Sequence, residues 1–316
     1  MDMLEALAIG QETTETDLTP EEERALVSQV EQQVRDALSR RLVFLLTGRT
    51  GMGKSSTINN LLGQDIAKVG HYEPTTVEVK EYDARIAGIA CTVIDTPGLC
   101  DDLPEAGKDD EYLALIQERV KEVNCVWFVS RLDETRVTSD EIRGIQMLST
   151  ALGPEVWDHA LIVFTFAGNV SPQRFREAVD TRTRLIRGVI ARYAPKEVAE
   201  AIPAVPVDNT REYTPDERQW LGHLYLQVLK RVSRKSAQPF SLAVMGRVVV
   251  DDEKHRPPPA TYTGSGAGTT IRVTRSEFRE ALAATWEGVS RLASVSVEKA
   301  KAVIKSGWSR VKGWFS

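Results

Sequence analysis

Between residues 48 and 55 the chain reads Gly-Arg-Thr-Gly-Met-Gly-Lys-Ser, a set of residue types suited to capturing a polyphosphate. Gly51 and Gly53 permit positive φ and close backbone approach, so successive amides at a helix N-terminus can surround an anion. Lys54 adds a point charge for the β and γ phosphates. The Ser55 hydroxyl can ligate Mg2+, a hard ion that prefers oxygen. Arg49, Thr50, Met52 and Ser56 complete the phosphate-contacting positions. A glycine-rich turn without a ligand is the plain alternative, and the hydrophobic strand before it and helix formers after it decide against that.

A second group follows downstream: Asp95-Thr96-Pro97-Gly98-Leu99, directly after the apolar run from Ile89 to Ile94. Asp95 at a strand's carboxyl end can hold a metal-bound water, and the Gly98 amide can sense a γ phosphate. Standing alone, Asp95-Thr96-Pro97-Gly98 is an ordinary turn; standing after a phosphate loop, it reads as a switch. Between the two lies Tyr72-Glu73-Pro74-Thr75-Thr76, where Thr76, with Thr75 beside it, can reach both metal and γ phosphate. The metal set is therefore Ser55, Thr76 and Asp95, and the catalytic group begins with Lys54, Thr76 and Gly98.

These residues need a scaffold that brings strand ends together. From Arg41 the pattern alternates short apolar runs, at Leu42 to Thr47, Thr76 to Asp83, Ile89 to Asp95, Cys125 to Ser130, Ala160 to Thr165 and Ile202 to Val207, with helical periodicity. The helical stretches are 53–62, 110–122, 138–151, 172–193 and 215–233. The expected fold is α/β: a three-layer P-loop G domain over 41–236, with helices on both faces of a mainly parallel sheet. Residues 1–40 form an N-terminal tail and an amphipathic helix that starts at the capping box of Thr19, Pro20 and Glu22, with Val27, Val30, Val34 and Leu38 as its stripe. Residues 237–316 form a C-terminal extension. In it, Phe240 to Val250 reads as strand, 251–269 as a Pro/Gly-rich loop, and Ile271 to Thr274 as a strand able to pair with the first. A helix follows from Ser276.

The net charge of -5 and pI near 5.6 give no general pull toward nucleic acid, and none is expected as a partner. Cys91, Cys100 and Cys125 lack the number and spacing of a disulfide framework or zinc site. The N-terminus lacks the basic start of a secretory signal, and no apolar run approaches the roughly 20 residues of a spanning helix. A cytoplasmic protein is expected. Peripheral membrane contact stays open because Val297, Ala300, Ile304, Trp308, Val311 and Phe315 share a helical face, flanked by Lys299, Lys301, Lys305, Arg310 and Lys312. Packing of that helix on the G domain is the other reading.

The segments GRTGMGKSSTINNLLG at 48–63, DTPGL at 95–99 and VSRLDETRV at 129–137 resemble the septin-like (paraseptin) GTPases, the group of chloroplast import receptors (Toc) and immunity-associated GTPases. The likeness covers 41–232. It implies GTP and GDP as ligands with Mg2+, and nucleotide faces that pair head to head in a homodimer with Arg136 reaching toward the partner's nucleotide. Arg131 would buttress the loop; a surface ion pair of Arg136 with Asp133 or Glu134 is the alternative. The resemblance also places base contacts at Thr165 and Phe166, where the family usually has histidine, and at Asp208 and Asn209, where an Asx turn is the simpler reading. Asp208 would accept from guanine N1 and N2, and Asn209 would meet O6 or N7. The import receptors' spanning anchor is not carried over.

Leu99 stands where Ras-like enzymes carry the glutamine that orients water, so slow intrinsic hydrolysis is expected. The expected function is a nucleotide-controlled dimerising GTPase. The competing readings are a membrane-surface scaffold with negligible turnover and a P-loop kinase, which would leave the Asp95 motif without a purpose.

Overall fold

The computed structural model describes residues 19–67, 79–96, 108–251, 270–274, 276–278, 280 and 285. Strands β1 (Arg41–Thr47), β2 (Lys80–Ile86), β3 (Ile89–Thr96), β4 (Cys125–Arg131), β5 (Ala160–Thr165) and β6 (Ala204–Pro206) form one sheet in the order β2-β3-β1-β4-β5-β6. All neighbours are parallel except β2 and β3, a hairpin closed by Ala87 and Gly88 at φ 46 and 81. Positive φ at both loop residues suits the twist of a two-residue hairpin. β1, β4 and β5 are buried along almost their whole length and apolar but for residues at their ends, because both faces are covered. At the edge, β2 exposes Lys80, Glu81, Asp83 and Arg85, charges that discourage further strand pairing.

Side-chain alternation along β1 sends Leu42, Phe44 and Leu46 to one face and Val43 and Leu45 to the other. The first face is covered by α1 (Pro20–Leu38), α2 (Lys54–Leu62), α7 (Trp220–Arg231) and α8 (Arg234–Met245). The second is covered by α3 (Lys108–Arg119), α4 (Ser139–Leu152) and α5 (Pro172–Ile190), with the short α6 (Lys196–Ala201) beside them. This is the three-layer α/β arrangement expected. Helix α1 begins at the capping box as read, with the Glu22 amide donating to Thr19 Oγ1 and the Thr19 amide to Glu22 Oε2. Ala37 and Leu38 pack on the core; the side chains of Val27, Val30 and Val34 lie outside the described residues.

The segment from Phe240 to Val250, expected as one strand, is divided between helix and strand. Residues 240–245 are helix, and strand is confined to β7 (Val248–Asp251). A short apolar run bounded by turn signals has no period that separates strand from buried helix, and here tertiary packing decides. Phe240 sets its ring edge-on to Phe44 at 6.0 Å and lies 5.8 Å from Tyr225, so this core runs through the boundary expected at residue 236. Pro239 sits inside α8 and cannot donate to the Lys235 carbonyl, which instead accepts from Arg40 Nη1 at 2.5 Å. Strand β8 (Ile271–Thr274) pairs with β7 in parallel, as expected of these two segments. Among the described residues no helix is long and apolar enough to cross a membrane. The tail 1–18, the greater part of the Pro/Gly-rich stretch, and the basic segment from Val297 to Phe315 lie outside the described residues.

Candidate functional site

Strand register brings the expected residues to one edge of the sheet. Thr47 pairs with Thr96 on one side and Phe128 on the other, Arg131 pairs with Thr165, and Phe164 pairs with Pro206. The carboxyl ends of β1, β3, β4, β5 and β6 therefore face the same side, and the chain order reverses about β1. Ligands of open α/β sheets bind beyond such a reversal.

The loop from Gly48 to Gly53 leaves β1 at that point. Gly48 has φ 141, and a Cβ there would stand 2.2 Å from the Val129 carbonyl oxygen, so the loop lies directly on β4. Gly51 and Gly53 follow at φ 78 and 82. Gly53 precedes α2 and has no side chain to cap it, which leaves first-turn amides to an anion. Lys54 is buried; its Nζ donates to the Gly48 carbonyl at 2.8 Å and the Arg49 carbonyl at 3.1 Å, and stands 3.8 Å from Asp95 Oδ1. Met52 is buried, Ser55 and Ser56 are half-buried and Thr50 is exposed. The Ser55 hydroxyl and Asp95 carboxylate are hard oxygen donors of the kind Mg2+ takes. Thr75, Thr76 and Gly98 lie outside the described residues.

The residues expected on the base side stand at the ends of β5 and β6. Thr165 is buried and donates to the Ser130 carbonyl. Phe166 holds φ 56, a left-handed conformation that a bulky side chain adopts only under constraint. The Arg131 guanidinium lies 4.0 Å from its ring centroid and forms paired bonds of 2.8 and 2.7 Å with Asp133. Those bonds, joined by one from Asn169 Nδ2 at 2.8 Å, hold the Asp133 carboxyl below its ordinary pKa. Asp208 is buried; Oδ1 accepts from the Thr210 amide and hydroxyl in an Asx turn, and Oδ2 points over Gly168. Asn209 turns its amide to α2, accepting from Asn60 at 3.1 Å and donating to Thr57 Oγ1 at 2.9 Å. In this structure it joins the expected base loop to the phosphate-loop helix, a role that its sequence neighbours do not reveal.

The loop after β4 touches both halves. Arg49 reaches Glu134 at 3.2 Å and Asp140 at 3.7 Å. Asp133 and Glu134 are thus engaged by Arg131 and Arg49; Arg136, exposed, pairs with neither. The Arg136 carbonyl accepts from Arg182 Nη1 at 2.6 Å. Arg182 is buried with Glu141, to which its Nη2 donates at 2.8 Å, and both meet the Ser130 hydroxyl. Residue order gives no sign of this cluster beyond the capping box spelled by Thr138 and Glu141, which the structure forms.

The AIG1 family profile fits residues 41–202, just over half of the sequence. The chain belongs to the AIG1 family. This AIG1-family chain is similar to GTP-binding protein A of Dictyostelium discoideum, 36% identical over 138 residues that make up 43% of the chain and 30% of that protein. It is 29% identical to Translocase of chloroplast 159, chloroplastic, of Arabidopsis thaliana over 133 residues, 42% of the chain and 9% of the translocase. The match thus spans under a third of either relative. Toc33 of Arabidopsis thaliana in complex with GDP and Mg2+ shares the fold at a TM-score of 0.50 and 22% identity, covering 71% of this chain and 93% of Toc33.

The carboxylate of Asp208 offers a selective test. A Cβ at Gly168 would stand 2.0 Å from Asp208 Oδ2, so Gly168→Ala must displace the carboxylate without altering its chemistry. We expect GTP affinity to fall about tenfold, one hydrogen bond to a charged group, with ATP affinity unchanged in parallel titrations. An equal loss for both nucleotides would show that Asp208 does not read the base.

Proposed function

We propose that the chain binds GTP and GDP with Mg2+ and hydrolyses GTP slowly, as a switch whose nucleotide state controls homodimerisation. The observation that carries this reading is the buried Lys54 ammonium beside Asp95 under a glycine loop, at the same sheet edge as the buried Asp208 carboxylate. Loop amides and Lys54 bind and orient the phosphates, and Asp208 selects guanine by accepting its N–H groups, which adenine lacks. Ser55 and Asp95, with Thr76, would hold Mg2+, which when bound neutralises charge on the β and γ phosphates.

Support for the pairing comes from relatives: dimerisation is stated to be important for the GTPase activity of the chloroplast translocon components atToc33 and psToc159. Arg136 is exposed on a braced loop, where a side chain can extend to a second copy of the chain. An arginine supplied in trans can raise phosphoryl-transfer rates ~10³-fold or more. We propose a cytoplasmic protein whose C-terminal segment either meets a membrane surface or packs on the G domain.

Turnover per subunit, measured over a wide range of protein concentration, tests the proposal. The rate should rise with concentration in wild type and stay at the low dilute value in Arg136→Ala. A flat, near-zero rate in wild type would instead indicate a binding scaffold. In the same preparations Asp208→Ala should lower GTP affinity by about ten- to a hundredfold, since a charged acceptor is removed, and leave ATP unaffected.

A further inference from the structure

We infer that the C-terminal segments 246–251 and 270–274 brace the nucleotide site from behind, with Arg247 and Arg272 as positioning residues for its phosphate and base halves. This rests on the nucleotide reading above, and concerns residues beyond the stretch that the AIG1 profile fits.

Helix α2 presents its N-terminus to the phosphate loop, so whatever holds its other end holds the loop. At that end Arg247 donates from Nη1 to the Leu61 carbonyl at 2.6 Å and from Nη2 to the Asn60 carbonyl at 2.7 Å. The planar guanidinium spans two carbonyls of the last turn, where the helix's own amides run out, and places a cation at the negative end of its dipole. It does so by lying flat against Gly63, where a Cβ would approach Nη1 to 2.5 Å. The glycine and the arginine are thus a matched pair.

The same residue is tied to β8, since the Arg247 carbonyl accepts from the Ile271 amide at 2.9 Å. One residue on, Arg272 extends to Glu212 at 3.5 Å and Asp251 at 3.2 Å. Glu212 belongs to the loop that starts at Asp208. Gln219, at the end of that loop, accepts from the Arg272 amide at 2.9 Å and the Gly222 amide at 2.9 Å, and donates to the Thr270 carbonyl at 2.8 Å. The seat is tight: a Cβ at Gly222 would stand 1.8 Å from the Arg272 carbonyl oxygen. A two-stranded sheet is marginal by itself, so β7 and β8 hold their place through these contacts, and the contacts join the far end of α2 to the base loop.

Linkage makes the brace testable in both directions: if docking tightens nucleotide binding, nucleotide must tighten docking. Release of a fluorescent GDP analogue is measured in Mg2+ buffer on the full chain, for wild type, Gly222→Ala, Arg247→Met and Arg247→Lys. Gly222→Ala improves helix propensity while blocking the seat of β8, and Arg247→Met acts at a separate point should the first variant fold poorly. Both should release the analogue about tenfold faster while their helical circular dichroism persists, and Arg247→Lys, which keeps the cation but lacks the planar fork that fits the last turn and lies flat on Gly63, should fall between. Amide exchange at 271–274 in wild type should slow when GDP is added, a response that a purely structural strap would not give. Release within twofold of wild type in both variants, or exchange at 271–274 indifferent to GDP, overturns the brace. Failure of wild type to bind GDP would instead remove the nucleotide reading, and the brace with it.

Discussion

Lys54→Ala should lower affinity for GTP and GDP by ~10²–10³-fold, the equivalent of about 3–4 kcal/mol for a buried charge left without its partner. The Lys54 ammonium is the cation that the structure places against the loop, bonded to the Gly48 and Arg49 carbonyls and near Asp95. Its side chain is 6% exposed, so solvent cannot replace it, and the phosphates would face Asp95 with the counter-charge gone. Isothermal titration in the presence of Mg2+ measures the loss. Binding within tenfold of wild type would mean that loop amides alone hold the phosphates. The variant should still fold, because the sheet beneath is held by apolar contacts that Lys54 does not enter.

Arg182→Met should destabilise the chain by about 3–5 kcal/mol, since it strands the Glu141 carboxylate in the interior. The side chains of the pair are 2% and 3% exposed, which removes the screening that makes surface pairs weak. Glu141 also caps α4, because its Oε2 accepts from the Thr138 amide at 2.9 Å. Glu141→Gln keeps an acceptor for that cap while losing the charge, so it should cost less than Arg182→Met. The double variant Arg182→Met/Glu141→Met should recover much of the loss, because apolar pairs can replace buried ion pairs. Urea unfolding curves decide the matter, and a cost under about 1 kcal/mol for Arg182→Met would place the pair with ordinary surface bridges. Arg182 also holds the Arg136 carbonyl, so the single variant should weaken concentration-dependent turnover even below its unfolding midpoint.

Much of the fold is legible along the chain because its signals are local. Strands β1, β4 and β5 announce themselves as apolar runs, since burial on both faces leaves no room for alternation. Helices α1 and α4 start at Thr-x-x-Glu boxes. The expected strand at Phe240 to Val250 fails for the opposite reason: a short apolar stretch carries no decisive period, and α8 forms because Phe240 packs against Phe44 and Tyr225 from distant segments. Pro239 argues against helix locally, yet Arg40 satisfies the carbonyl it leaves open. The site divides in the same way. Lys54, Asp95 and Asp208 stand at the predicted sheet edge, whereas the stack of Arg131 on Phe166 and the hold of Arg49 on Glu134 join residues far apart in the chain.

Residue order alone settles the capacity to cradle a phosphate and the alternation that lays helices over a sheet, because each depends on residue types at fixed short spacing. The employment of Asn209, Glu141, Arg182, Arg247 and Arg272 is settled only when the chain is folded. Their partners are chosen by strand register and helix packing, which bring together groups far apart in the chain and leave no periodic trace in the order of residues.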